Sequence, residues 1–153
     1  MTWIELPFGK YTGLTLPQVL FTDPGWFFWA NQAGALLRQG VYGGEDLARK
    51  ACRIRIPGAQ GGALVVEYAF HPGGGLAVVQ LAPVNAVREA GGSTSFTRTY
   101  IDLSIPSQLA PRDKAGGRVM VDFLKVTYFG STSYRMTRDR CEEFFDDPSH
   151  FLP

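Results

Sequence analysis

The sequence predicts an α+β fold, with helices at both ends and an antiparallel sheet between them. Three observations carry that prediction. Cap and proline signals mark helices before Cys52. Apolar runs of period two, divided by Gly and Pro clusters, mark strands over 52–106. A charge period of three to four residues and a Thr cap mark helices over 112–147. The 153 residues, 45% of them hydrophobic, suffice to bury a core and are expected as a single domain, 1–153, with 1–40 as its motif-bearing N-terminal part.

Trp3 to Phe8 is expected as a short strand, with Trp3 and Glu5 on one side and Ile4 and Leu6 on the other. Gly9 and Gly13 can take positive φ and bracket a tight reversal that carries Lys10 and Tyr11. Thr15-x-x-Gln18 fits a capping box, and Pro17 sits in the first turn, where its missing N–H costs little. Asp23-Pro24 starts a second helix with an N-cap and a Pro at its first position. That helix is expected to run from Pro24 to Gln39 and to end at Gly40. Its buried stripe would be Trp26, Trp29, Ala30, Ala33, Leu36 and Leu37. Phe28 falls on the opposite side with Asn31, Gln32, Ala35, Arg38 and Gln39. An apolar ring there needs a cover, which makes Phe28 and Arg38 candidate contact residues.

Glu45 to Ala51 reads as a short helix, with acids at its start and bases at its end to suit the helix dipole. Cys52, Ile54 and Ile56 then alternate with Arg53 and Arg55 as in a strand. Ala63–Phe70 and Leu76–Leu81 form a hairpin through the loose loop Pro72-Gly73-Gly74-Gly75. Gly91-Gly92 precedes a strand over Ser95–Ile105, with Thr97, Thr99, Ile101, Leu103 and Ile105 inside and Phe96, Arg98, Tyr100 and Asp102 outside. Residues 112–129 have strand propensity at Val119, Val121 and Val126, yet Lys114, Arg118, Asp122 and Lys125 recur at helical spacing. A strand would place a charge mid-face on both sides, so the segment is read as a helix ending at Gly130. Thr137 caps a last helix through Phe145, which Asp147-Pro148 stops.

The pattern Phe8-Gly9-Lys10-Tyr11-x-Gly13-x-Thr15-Leu16, then Asp23-Pro24-Gly25-Trp26-x-x-Trp29, resembles the small domain at the C-terminus of exodeoxyribonuclease X-like proteins. That domain also occurs in short stand-alone bacterial and phage proteins. The likeness covers residues 4–37, about a quarter of the chain. It implies an association with nucleic acid or with a nucleic-acid enzyme. It transfers no activity, because the nuclease chemistry of those proteins lies in a separate domain, and no Asp-x-Glu opens one near the start here.

The net charge of +1 gives no bulk electrostatic case for nucleic acid or membrane. No apolar run is long enough for a spanning helix, and Met1 to Glu5 lacks a signal-peptide pattern, so a cytoplasmic location is expected. Cys52 and Cys141 read as buried reduced thiols rather than a disulfide. His71 and His150 stand apart from any HExxH or CxxC, so no metal, cofactor or catalytic residue is expected. Glu142, Glu143, Asp146 and Asp147 crowd one helix and read as a solvated face or as a patch for a basic partner.

The candidate binding residues lie elsewhere. Lys10 and Tyr11 top the first turn, as a phosphate contact with a stacking ring, or as a scaffold corner with Tyr11 packed on Trp26 or Trp29. Arg53 and Arg55 point out from one expected strand, and Phe96, Arg98 and Tyr100 from another. As neighbours they would join into a basic, aromatic platform for a single strand, or form a sheet face covered by helices. The resulting reading is a non-enzymatic intracellular bacterial or phage module that associates with nucleic acid or a nucleic-acid enzyme. The alternative is a protein–protein interaction or structural protein, such as a phage assembly component or an inhibitor of a host machine.

Overall fold

The computed structural model describes residues 2–58, 63–85, 95–109 and 113–153. It has the expected α+β order. Helices α1 (Leu16–Leu20), α2 (Pro24–Gln32), α3 (Ala35–Arg38) and α4 (Gly44–Ala51) come first. Strands β1 (Leu64–Phe70), β2 (Leu76–Pro83) and β3 (Ser95–Arg98) follow, then α5 (Ile105–Leu109), α6 (Lys114–Phe129) and α7 (Arg138–Asp146). The turn expected at Gly91-Gly92 lies outside the described residues.

The sheet is antiparallel with order β2-β1-β3. Tyr68 faces Val79 on one side and Phe96 on the other, and a bulge falls between Ala69 and Phe70. Helix α6 packs along β2. Asp113 joins the two: its carboxylate caps α6 by accepting from Gly116 N–H at 2.8 Å and accepts from Leu76 N–H at 2.8 Å. Gly130, at φ 83°, ends α6 where the charge spacing placed its end. One hydrophobic cluster gathers Leu6, Leu16, Phe27, Leu36, Ile54, Tyr68, Met120, Phe144 and Phe145 from both ends of the chain and the sheet.

Four expectations need correction. Residues 2–7 form no strand. Leu6 bonds to the returning chain, through Leu14 O at 2.8 Å and Gly13 N–H at 2.9 Å, and Trp3 and Leu6 are buried. The second helix is broken. Gly34 adopts φ 76°, so α2 stops before it and α3 starts after it. The expected stripe also fails within α2 itself, where Phe27 is fully buried and Trp29 49% exposed, and Leu37 of α3 is 60% exposed. The segment around Ile54 makes only single bridges, to Ile101 and Phe151. Ile54 and Ile56 are buried and Arg53 and Arg55 exposed, so its alternation holds without a ladder.

The fourth correction is the Ser95–Ile105 strand, which ends at Arg98. Its faces are inverted. Phe96 pairs with Tyr68 and Arg98 with Val66, so both lie on the core side of the sheet. A bend at Thr99–Tyr100 then resets the phase, and Ile101, Leu103 and Ile105 are buried after it. Asp102, expected outside, is buried as well.

Candidate functional site

The recognisable N-terminal turn builds a surface of rings. Gly9 (φ 78°) and Gly13 (φ 91°) reverse the chain as expected. A Cβ on Gly9 would stand 3.1 Å from the Trp26 ring, so glycine also permits the close approach of α2. The Gln18 side chain accepts from Thr15 N–H at 2.9 Å, which fixes α1 behind the turn. Asp23 caps α2 by accepting from Trp26 N–H at 3.3 Å. The same buried carboxylate accepts from the Tyr11 hydroxyl at 2.6 Å and lies 3.5 Å from the Lys10 ammonium.

Tyr11 therefore stands edge-on to Trp26, with ring centroids 5.4 Å apart. Phe8 and Trp29 flank Trp26 at 6.0 and 6.2 Å. Lys10 lies 5.2 Å from the Tyr11 ring centre and remains 55% exposed. Partial burial, then the Asp23 hydrogen bond and charge, push the Tyr11 hydroxyl well above its ordinary range. Tyr11 thus stays a neutral donor, and its ring is held at a fixed angle. Trp29 is the open end of the row. Arg38 donates to Ala33 O at 2.9 Å, and Ala33 N–H donates to Trp29 O, which places Arg38 at the same end of α2 as Trp29. Phe28 is half-buried against Phe27, at 5.1 Å, and against the core, so the protein's own chain covers much of it.

The two segments that carry the arginines expected to share one platform meet at one bridge, Ile54 to Ile101, but their arginines have different surroundings. Arg53 and Arg55 line an open depression of about 510 Å³ together with Asp46, Arg49, Lys50, Pro148, Phe151, Leu152 and Pro153. Arg98 and Tyr100 are not part of its lining. Arg98 instead covers Phe96, 4.5 Å from its ring centre, and Phe96 stacks on Tyr68 and Phe70. Tyr100 offers its carbonyl to the Tyr68 hydroxyl at 3.2 Å. Both residues thereby support the core edge.

Several acids expected on a solvated face have partners within the chain. Glu142 accepts from Arg138 at 2.7 Å and from Thr15 at 3.2 Å. Asp146 accepts from the Trp3 indole at 3.1 Å. Asp147 caps the 3-10 turn Pro148–His150, and its bonds from Ser149 hold its carboxyl below the usual range.

Sequence reasoning missed Asp102. Its carboxylate accepts from Ser104 N–H at 2.9 Å and Ser104 hydroxyl at 2.6 Å, and the Cys52 thiol lies 3.5 Å from Ser104 Oγ. Burial raises the Asp102 carboxyl and pushes the Cys52 thiol up to about 11, so the thiol stays protonated near neutrality. Both cysteines are free. Among the described residues no group of three or more His, Cys, Asp or Glu could hold a metal ion. No helix among them is long and apolar enough to cross a membrane.

Comparison with known proteins finds no matching family model, no matching curated protein and no matching solved structure.

Proposed function

We propose that the chain is an intracellular binding module that takes single-stranded nucleic acid on its ring surface, alone or beside a nucleic-acid-processing enzyme. The observation that carries this reading is the half-exposed Trp29 at the open end of the Phe8, Tyr11, Trp26 row, with Lys10 at the rim. Every base has a π face, so a fixed ring surface is tolerant of sequence. A lysine beside it supplies one phosphate contact. The residues that build the surface are those that resemble the exodeoxyribonuclease X-like C-terminal domain, which supports the same reading. Two free thiols fit a reducing compartment.

Fluorescence anisotropy with short single-stranded oligonucleotides at two salt concentrations tests it. Binding should weaken with salt, and Lys10→Ala should reduce the salt slope by roughly 1. A protein partner is the second reading, favoured by one observation. Thr2, Trp3, Ile4, Leu16, Val41 and Tyr42 line an apolar depression of about 300 Å³ in which Ile4 is 52% and Tyr42 74% exposed. Absence of oligonucleotide binding at low salt would remove the first reading and leave the second.

A further inference from the structure

The basic depression shares no lining residue with the ring surface. Arg49 and Lys50 come from the last turn of α4, and Arg53 and Arg55 from the extended segment after it. Burial of Ile54 and Ile56 sends both arginines to the open side. The lining thus sets Arg49, Lys50, Arg53 and Arg55 against one acidic side chain, Asp46, and the Pro153 main-chain oxygens, in a chain of net charge +1. Asp46 holds Arg49 at 2.9 Å and Lys50 at 3.7 Å, and Lys50 also donates to Phe145 O at 3.2 Å. Arg53 donates to Pro153 O at 3.2 Å and Arg55 to Phe151 O at 2.9 Å. Neither forms an ion pair with a carboxylate side chain among the described residues. Each guanidinium is oriented by one backbone bond and keeps further N–H donors for a ligand. Two positioned forks beside two partly neutralised cations suit a tetrahedral oxyanion.

We infer that this depression seats a phosphoryl group, either free phosphate or the phosphate at the end of a nucleic-acid strand. The site does not depend on the ring surface binding bases. NMR of the arginine Nε–H groups tests it, with inorganic phosphate exchanged for chloride at constant ionic strength. The Arg53 and Arg55 signals should shift saturably. Asp46→Asn removes the competing carboxylate and should tighten phosphate binding by about two- to fivefold. Arg49→Gln should weaken it by a similar factor, and among the described residues this exposed side chain bonds to Asp46 alone. Trp29→Ala should leave the titration unchanged even where it abolishes oligonucleotide binding, so the two sites fail separately. A preference for 5′-phosphorylated over 5′-hydroxyl oligonucleotides would assign the strand end, and equal affinity with saturable inorganic phosphate would assign free phosphate. Shifts that never saturate, or an Asp46→Asn protein with unchanged phosphate affinity, would overturn the inference.

Discussion

Two regions of this molecule are rich in rings, and they use them in opposite ways. In the C-terminal region Phe144 is packed against Phe21, Tyr128, Phe129, Phe145, His150 and Phe151, all within 6.3 Å. Phe144 and Phe145 are buried, and the cluster closes on itself. In the N-terminal region Phe8, Tyr11, Trp26 and Trp29 form an open row whose last member is half in solvent. The polar anchoring differs too. His150 shares a hydrogen bond with Phe144 O at 2.7 Å and so ties two turns of one end together. Asp23 instead fixes the angle of an outward surface through Tyr11. Ring density alone therefore does not mark a binding face. Under the proposed function, exposure combined with a rigid polar anchor does.

That contrast can be broken at several points. The largest effect should come from Phe145→Ala, which empties a fully buried site and should cost ~3–5 kcal/mol by urea denaturation. Phe27→Ala belongs to the same class. Asp23→Ala removes the α2 cap and the Tyr11 acceptor and should cost ~1–3 kcal/mol. It should also release the Tyr11 ring, which near-ultraviolet circular dichroism would register. Trp29→Ala should cost only ~1–2 kcal/mol, because much of its ring is already in water. If Trp29→Ala destabilised the fold as much as Phe145→Ala, the surface would be core and the contrast would collapse.

A pH series sharpens the comparison from a third place. The folded Asp102 carboxyl titrates above its unfolded value because burial disfavours its charge. The native state then holds more protons than the unfolded state between the two values, so stability falls as pH rises through that window. Asp102→Asn keeps an acceptor for Ser104 and should flatten this slope, raising stability at neutral pH relative to acid. Urea midpoints across the acidic range check the sign. A mutant with the wild-type slope would show that Asp102 is charged at no cost. The smallest effect concerns thiol chemistry. Cys141, pushed up to about 12 by burial, should react with alkylating agents only on unfolding, and half-buried Cys52 slowly before it.

What could be read from the sequence was local. Gly9, Gly13, the Thr15 box, the Asp23-Pro24 cap, Gly130 and Thr137 state backbone geometry directly, and the structure places each as expected. The helical reading holds over Lys114–Phe129 because charges report a face where β-branched residues mislead. Errors came where one residue changes phase. Gly34 breaks the helix expected over Pro24–Gln39, and within α2 the buried ring is Phe27 while Trp29, expected inside, is half in solvent. The bend at Thr99–Tyr100 separates the phase of β3 from that of Ile101–Ile105, and Arg98 lies over Phe96. Lys10 and Tyr11 were found from their turn, but their tie to Asp23 is a tertiary fact that no spacing states. Arg49 and Lys50 were read as helix charges, and only the fold brings Arg53 and Arg55 beside them.

The most direct test of the central claim is the anisotropy of a labelled single-stranded oligonucleotide, wild type against Trp29→Ala, at low and at moderate salt. The account predicts wild-type binding that weakens with salt, quenching of tryptophan fluorescence on binding, and a loss of ~1–3 kcal/mol in the variant for the one stacked base it removes. Binding that is absent in the wild type at low salt, or equal in the two proteins, would contradict it.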